Sequence, residues 1–467
     1  MLKRLGKLDM GMVRIIMTLA WPTMLEQLLQ TAVQYIDTAM VSSLSTPEMA
    51  AVGATTTVGW LIGGMVSAFG IGFLSFIARA CGANDRPAAA RATAQAVVVT
   101  VVTGVVFTII TLGLSGLIPV WMQVEEAVRP LASTYFFILY LPMLPRAATI
   151  IFGTVLRAAG DTKTPMKVGI WVNLINVVLN FLLIFPTAER TIFGLTFTTP
   201  GAGWGVTGAA IASAIAVTVG GVYITIVLWR HPMISPRGQR FRPDWNILRP
   251  TLRVAAPNML QRFGTSLGYV SFASMINGLG DVATAAHTIA NTVESAFYIP
   301  GYGMQTAAAT LAGNAYGAKD SQRMTRLARM FIPIEIGLMI LSGGLLFVTA
   351  GPLAGLFAAK QDPLVQQLVC TVLQMVAVSE PFYGFSIIVE GMMQGVGRTR
   401  QPFIFNVTGM WLVRILGTWI CTTYFFKDAA TGLVAAWACM IAHNLLLFGL
   451  FLWCYLRGTW NPLRETK

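Results

Sequence analysis

Apolar residues in this chain come in long unbroken runs rather than in the short periodic patterns of soluble elements. Twelve stretches read as membrane-crossing helices, at about 12–42, 49–80, 89–118, 128–157, 164–186, 204–230, 247–278, 283–315, 323–350, 364–395, 401–425 and 429–457. Each can cover roughly 30 Å of hydrocarbon at about 1.5 Å per residue. Lipid satisfies no backbone N–H or C=O, and no run alternates as a barrel strand would, so the runs are helices. Pro22, Pro257 and Pro300 fall inside spans, where proline is tolerated, and Pro300 is expected to bend span 8. The predicted fold is an all-α integral membrane protein of twelve transmembrane helices in two pseudo-symmetric six-helix bundles. The start, MLKRLGKLDMGMVR, has the basic flank of a signal peptide, but the apolar run after it reaches about Val41. That is too long for a signal core, so it is read as the first span.

Composition supports this reading. Hydrophobic residues make up 55% of the 467 and charged residues 11%, against about 25% charged in soluble proteins. The net charge of +13 would suggest nucleic acid in a soluble chain. Here the basic residues gather in alternate loops. Lys3, Arg4, Lys7 and Arg14 begin the chain; Arg79, Arg86 and Arg91 follow span 2; Arg157, Lys163 and Lys167 follow span 4. The loop after span 6 holds Arg230, Arg237, Arg240, Arg242, Arg249 and Arg253. Lys319, Arg323, Arg326, Arg329, Arg398 and Arg400 occupy the next even loops, and Arg457, Arg464 and Lys467 the tail. Odd loops hold only Arg129, Arg190, Lys360 and Lys427. The bias places both termini in the cytoplasm of a multi-pass cell-membrane protein. The five cysteines form no CxxC pair and read as buried small hydrophobes. No HExxH, GxSxG, paired catalytic Asp motif or P-loop is present, so neither an enzyme nor a cofactor is expected. The expected partners are membrane lipid and small molecules, without nucleic acid, and the expected state is a monomer.

The basic, Pro-bearing segment at 231–246 divides the chain into an N-terminal bundle (1–230) and a C-terminal bundle (247–467). The two are a repeat. At an offset of 235 residues, Pro22-Thr23-Met24-Leu25 meets Pro257-Asn258-Met259-Leu260, and Gly82-Ala83-Asn84-Asp85 meets Gly317-Ala318-Lys319-Asp320. At 237, Gly160-Asp161-Thr162-Lys163-Thr164-Pro165 meets Gly397-Arg398-Thr399-Arg400-Gln401-Pro402. Six spans per half keep the orientation, so the pseudo-twofold runs along the membrane normal, as in transporters that rock two parallel halves about a central site.

Polar residues inside spans are functional candidates by default. On span 1, Glu26, Gln30, Gln34 and Asp37 make one stripe, because eleven residues is about three turns with an offset near 20°. A hydrogen bond to a neighbouring helix is the equal alternative for Glu26, and a helix-end position the alternative for Asp37. Span 5 carries Asn173, Asn176 and Asn180; the last two share a face, either as interhelical glue or as a site. The C-terminal half holds Arg262, His287, Glu294, Glu380, Tyr383, Glu390 and Arg414 as cargo-binding candidates. Arg262 and Arg414 are placed to neutralise Glu294, Glu380 or Glu390, which makes a structural ion network the alternative there. His287, a lone histidine, reads more readily as a hydrogen-bonded helix contact than as a proton carrier.

Several motifs resemble the multidrug and toxic compound extrusion (MATE) family of the multidrug/oligosaccharidyl-lipid/polysaccharide flippase superfamily. They are Ile36-Asp37-Thr38-Ala39-Met40-Val41, the Gly-Ala-Asn-Asp and Gly-Ala-Lys-Asp turns, Arg157-Ala-Ala-Gly-Asp-Thr-Lys-Thr-Pro165, Ala285-Ala286-His287-Thr288-Ile289-Ala290 and Ile299-Pro300-Gly301-Tyr302-Gly303. The resemblance implies twelve-span antiporters that export amphipathic, often cationic, compounds against H⁺ or Na⁺. It implies a cation-coupling set at Asp37, Asn176, Asn180 and Ser213, with Asp37 a metal ligand only if Na⁺ is the coupling ion. Asn180 stands where some members carry a second Asp. Coupling acids that other members place on spans 7 and 10 fall near Thr265 and Tyr383, with Glu380 one turn before the latter. A flippase for a lipid-linked precursor is the alternative function. Acids outnumber bases inside the spans, which favours cationic cargo.

Overall fold

The computed structural model describes residues 10–42, 44, 46–192, 195–358 and 362–464. Of the topogenic charges, Lys3, Arg4, Lys7, Lys360 and Lys467 lie outside the described residues. The helices are α1 (Met10–Ser42), α2 (Thr46–Gly82), α3 (Arg86–Leu114), the single turn α4 (Ile118–Trp121), α5 (Arg129–Tyr140), α6 (Met143–Ala158) and α7 (Lys163–Ile184). A hairpin of β1 (Pro186–Ile192) and β2 (Leu195–Ala202) leads to α8 (Gly205–Arg230). The second half comprises α9 (Trp245–Asn277), α10 (Asp281–Gly317), α11 (Ser321–Phe357), α12 (Pro363–Ala377) and α13 (Glu380–Gly395). It continues through α14 (Arg400–Thr408), α15 (Leu416–Ile420) and α16 (Ala429–Arg457). Two π-helical segments, Gly409–Ile415 and Cys421–Phe425, flank α15.

Among the described residues, seven helices are long and apolar enough to cross a bilayer, and two bent pairs raise this to nine. The remaining long helices, α1, α9 and α10, have 33, 33 and 37 residues. They carry the polar candidates that lower their hydropathy, namely Glu26 and Asp37 on α1, Arg262 on α9, and His287 and Glu294 on α10. The chain is thus an all-helical membrane protein. Two departures from the sequence reading concern spans 4 and 10. Each is a pair of helices bent by 51°, α5 with α6 and α12 with α13. Pro142 caps α6 and Pro381 lies in the first turn of α13; proline lacks the N–H needed to carry a helix across such a joint. In span 8, which Pro300 is expected to bend, α10 is one continuous helix with the proline inside it. The loop after span 5 is an antiparallel hairpin, pairing Glu189 with Thr198 and Thr191 with Thr196, in a segment rich in the β-branched residues that favour strands.

The repeat is written into the backbone. Asn84 and Lys319 both take a left-handed conformation, with φ of 56° and 53°. Asn84 N–H donates to Cys81 O as Lys319 N–H donates to Tyr316 O, and Asp85 N–H donates to Ala80 O as Asp320 N–H donates to Ala315 O. Gly160 and Gly397 close α6 and α13 with φ of 87° and 84°.

The chain forms two compact units. One contains residues 26–73 and 86–250, the other 1–25, 74–85 and 251–467. Thus α1 and α2 each contribute to both. The first has small cores around Val41, Ile184 and Val206 and around Ala51, Val124 and Ala132. In the second, Ile16 and Ala20 pack with Met304, Leu327, Phe331, Met392 and Phe451, and a further core gathers round Trp437. Within this unit the end of α2 crosses the end of α10 at glycine. Gly82 lies on the backbone of Asn314, and Gly317 on the backbone of Arg79. The two contacts are images of each other under the 235-residue repeat, the reciprocity a twofold axis imposes. A methyl group on either glycine would meet backbone that cannot rotate away. Gly82→Leu and Gly317→Leu should each cost about 1–3 kcal/mol by overpacking. Gly449→Ala, at a position with open space around it, should be neutral or stabilise by up to about 1 kcal/mol. Thermal unfolding of the purified protein in detergent checks the contrast.

Candidate functional site

Two polar assemblies stand out, one in each unit. In the first, α1, α7 and α8 bring Asp37, Asn180, Asn176 and Ser213 into one chain. The Asn180 amide donates to Asp37 Oδ1 at 2.5 Å and to Asn176 Oδ1 at 3.1 Å. The Asn176 amide donates to Ser213 Oγ at 2.9 Å. Asn180 is fully buried, Asn176 nearly so, and Asn180 Oδ1 has no hydrogen-bond partner. The spacing accounts for the geometry. Asn176 and Asn180 are one turn apart, so both amides face the same way, and the small residues Gly208, Ala209 and Ala210 let α8 approach α7. Gly208 lies close against the backbone of Leu183 and Ile184. Asn173, one turn earlier on α7, is not in this chain; its Nδ2 is buried without a partner.

Glu26 has a different environment from Asp37, although they share a helix. Arg157 Nη1 lies 2.9 Å from both Glu26 carboxylate oxygens, and its Nη2 donates to Thr154 Oγ1 at 2.9 Å. The pair is nearly buried, with side chains 14% and 9% exposed. Charge-assisted contacts of this kind are strong once formed, and removing one partner strands the other. The repeat makes the same joint with other chemistry. Gln261 and Gln394, the equivalents of Glu26 and Arg157, both donate to Glu390 Oε1, at 2.8 and 3.0 Å. Asn406 donates to Glu390 Oε2 at 3.3 Å. Gly153, the equivalent of Glu390, packs against the Arg157 guanidinium. Gln30 is exposed and Gln34 half-buried on the stripe below Glu26.

The ion network that stood as the alternative reading of the C-terminal set has no arginine–carboxylate pair among the described residues: neither Arg262 nor Arg414 makes one with Glu294, Glu380 or Glu390. The Arg414 guanidinium lies 4.7 Å over Tyr269 and 4.1 Å over Phe272. Arg414 sits in the first π-helical segment, a geometry frequent at functional sites. Arg262 is exposed. His287 is wedged edge-on between Phe272 and Trp437. Tyr383 bonds Tyr302 through their hydroxyls at 2.8 Å, and Tyr298 packs edge-on against both. Glu294 and Glu380 are buried. Beside them lies Glu335 on α11, fully buried, which the sequence reading passed over. The signal available was a lone acid deep in an apolar span, two residues after Pro333. Among the described residues no group of three His, Cys, Asp or Glu has metal-holding geometry.

The MatE family profile matches residues 22–182 and again 257–420. The chain belongs to this family, the MATE transporters. The two matched segments begin at Pro22 and Pro257, the positions that open the repeat. A probable multidrug resistance protein NorM of Thermotoga maritima is 28% identical, over 95% of this chain and 92% of its own length. The probable multidrug resistance protein YoeA of Bacillus subtilis is 24% identical, over 96% and 94%. Among solved structures, an outward-facing multidrug resistance MATE transporter superposes with a TM-score of 0.86 at 23% identity, covering 97% of this chain and 96% of that one. A MATE structure in a straight conformation gives 0.85 at 24% identity, covering 97% and 96%. As a MATE transporter the chain is a multi-pass membrane protein that moves organic compounds and not an enzyme.

The Glu26–Arg157 pair supplies a direct test of its structural weight. Arg157→Met should destabilise the protein by about 3 kcal/mol or more, because it strands a buried carboxylate. Glu26→Met combined with Arg157→Met should recover most of that loss. A double-variant cycle read by thermal unfolding in detergent distinguishes this from simple additivity.

Proposed function

We propose that this protein is a secondary antiporter of the cell membrane, with both termini cytoplasmic, that exports amphipathic, mainly cationic organic compounds in exchange for H⁺ by alternating access. The observation that carries the reading is the Asp37–Asn180–Asn176–Ser213 chain. It joins a single carboxylate to neutral amides and a hydroxyl inside a membrane-spanning bundle. A carboxylate out of water binds a proton more readily than one in water, and an amide network can follow that change by re-forming its hydrogen bonds. Protonation removes the charge that the Asn180 amide serves, so the contact between α1 and α7 weakens as cation enters and strengthens as it leaves. Asn180 supplies no second carboxylate, which favours H⁺ over Na⁺ as the coupling ion; Asp37 would ligate Na⁺ only in the latter case.

The asymmetry between the halves supports placing coupling at Asp37. Its repeat equivalent is Phe272, which lies under the Arg414 guanidinium. The shared fold therefore does not require a carboxylate at this position. The reciprocal glycine crossing of α2 and α10 supports a twofold relation along the membrane normal, with 231–246 as the cytoplasmic linker between bundles 1–230 and 247–467. The excess of acids over bases inside the spans supports cationic cargo, handled by a monomer.

Asp37→Asn should fold and reach the membrane, since an amide can still bond Asn180. In proteoliposomes under an imposed proton gradient its export of an organic cation should fall by about 100-fold, the scale of losing a positioned proton-transfer group. Wild-type export by this variant would move the role elsewhere. A parallel Na⁺ gradient at constant pH should drive little export; strong driving would reassign the ion.

A further inference from the structure

The connection between α8 and α9 is a built surface rather than a slack tether. Gln95 of α3, only 3% exposed, clasps its main chain at two points. The Gln95 amide donates to Arg242 O at 2.8 Å, and Asp244 N–H donates to Gln95 Oε1 at 2.9 Å. Ser235 Oγ donates to Trp229 O at 2.7 Å. The Phe241 ring stacks on the Trp229 ring, with centroids 6.3 Å apart and planes 16° apart. Ile234 is fully buried, and Asp244 Oδ1 accepts from Asn246 N–H at the entry to α9.

What this framework holds outward is basic and aromatic. Arg237, Arg240, Arg242 and Arg249 are exposed. Among the described residues none of the four makes an ion pair. Asp244 is the one acid between 237 and 249. Phe241 is 48% exposed and Trp245 68%. Trp245 and Arg249 are four residues apart on α9, so they share a face.

The depth of this surface follows from α3. Arg91 is the last charged residue of that helix. Beyond it Val101, Val102, Val105 and Ile109 are exposed, as on a helix bordering lipid. Gln95 is one turn past Arg91, and helical side chains lean toward the N-terminus. Its amide therefore meets the linker near the level of Arg91, where α3 passes from charged to apolar surface. Trp229, in the last turn of α8, holds Phe241 at the end of a second span. The linker thus folds back along the helix ends to the headgroup layer. Arginine forks match phosphate oxygens, and aromatic rings gather at the level of the headgroups.

We propose that residues 237–249 form a docking site for the headgroups of anionic phospholipids. Arg237, Arg240 and Arg242 hold the phosphates, and Phe241 and Trp245 lie among the upper acyl chains. The two rings give a lipid an advantage that a free phosphate lacks. Which leaflet supplies the lipid rests on the cytoplasmic side proposed above for 231–246; the binding itself does not.

The experiment titrates full-length protein in neutral detergent with phosphatidylglycerol or phosphatidylcholine and counts retained lipid by native mass spectrometry. Phosphatidylglycerol should be retained in preference. Combining Arg237→Gln, Arg240→Gln and Arg242→Gln should weaken its binding by about 100-fold, roughly fivefold for each arginine. Combining Arg326→Gln, Arg329→Gln and Arg400→Gln, three exposed positions with the same loss of charge, should leave it close to wild type. Gln95→Ala keeps every arginine but loosens the main chain that carries them. It should weaken binding by about fivefold, the cost of ordering a freed segment. Three outcomes overturn the proposal: no preference for phosphatidylglycerol, equal losses in the two triple variants, or displacement of the lipid by an equal concentration of glycerophosphate. Both triple variants lie at exposed positions, so the test stands even where Gln95→Ala fails to fold. Labelling of Pro232→Cys from outside intact cells by an impermeant thiol reagent would overturn the cytoplasmic placement and leave the affinities in detergent unchanged.

Discussion

Hydrocarbon offers no hydrogen bonds, so each polar side chain inside a span must find its partner within the protein or bear the cost of lacking one. The buried polar groups of this protein sort accordingly. In the Glu26–Arg157 pair and the Glu390 joint both carboxylate oxygens have donors, and these contacts hold helices together. Asp37 is held by one amide in a chain of neutral groups, an arrangement that survives a change of charge. Glu335, neither of whose carboxylate oxygens has a hydrogen-bond partner, has the least support of all. The degree of satisfaction separates joints from sites more clearly than residue type does, since all three classes contain a carboxylate.

Duplication gives a second way to separate the two. Features present in both halves, such as the left-handed turns at Asn84 and Lys319 and the bent pairs α5–α6 and α12–α13, belong to the architecture. The lock between Glu26 and Arg157 has been kept in position but rebuilt as Gln261, Glu390 and Gln394, so the joint is architectural and its charge is not. Asp37 opposite Phe272, and Glu335 opposite Thr100, have no such counterpart. Inside the spans, each half has placed its acids where the other has none.

Much of this was legible in the sequence because hydropathy and local backbone geometry are local properties. The twelve spans, the repeat and the turn glycines could be read from runs and offsets. The four members of the Asp37 chain could be named from span position and family resemblance, and the structure brings them together. What could not be read is which faces of different helices meet. Arg414 looked like a partner for the acids of its own half, yet rotation of its helix, with a π-helical segment at that point, directs it over Phe272. Glu26 looked like part of the Asp37 stripe, and on its helix it is, but Arg157 was assigned to a loop and its reach back to Glu26 depends on tertiary packing. Glu335 escaped notice because its burial depends on how other helices close round it.

The crossing at Gly82 and Gly317 has a consequence for how this molecule can change over generations. At most packed positions an enlarged residue can be offset by trimming its neighbour, which leaves a correlated pair of changes in descendant sequences. Here each glycine meets main chain, and main chain has nothing to trim. No second change on the opposite helix restores the fit, so the crossing will be held fixed on both sides without any covariation to reveal it. A contact map inferred from correlated substitutions would miss this crossing.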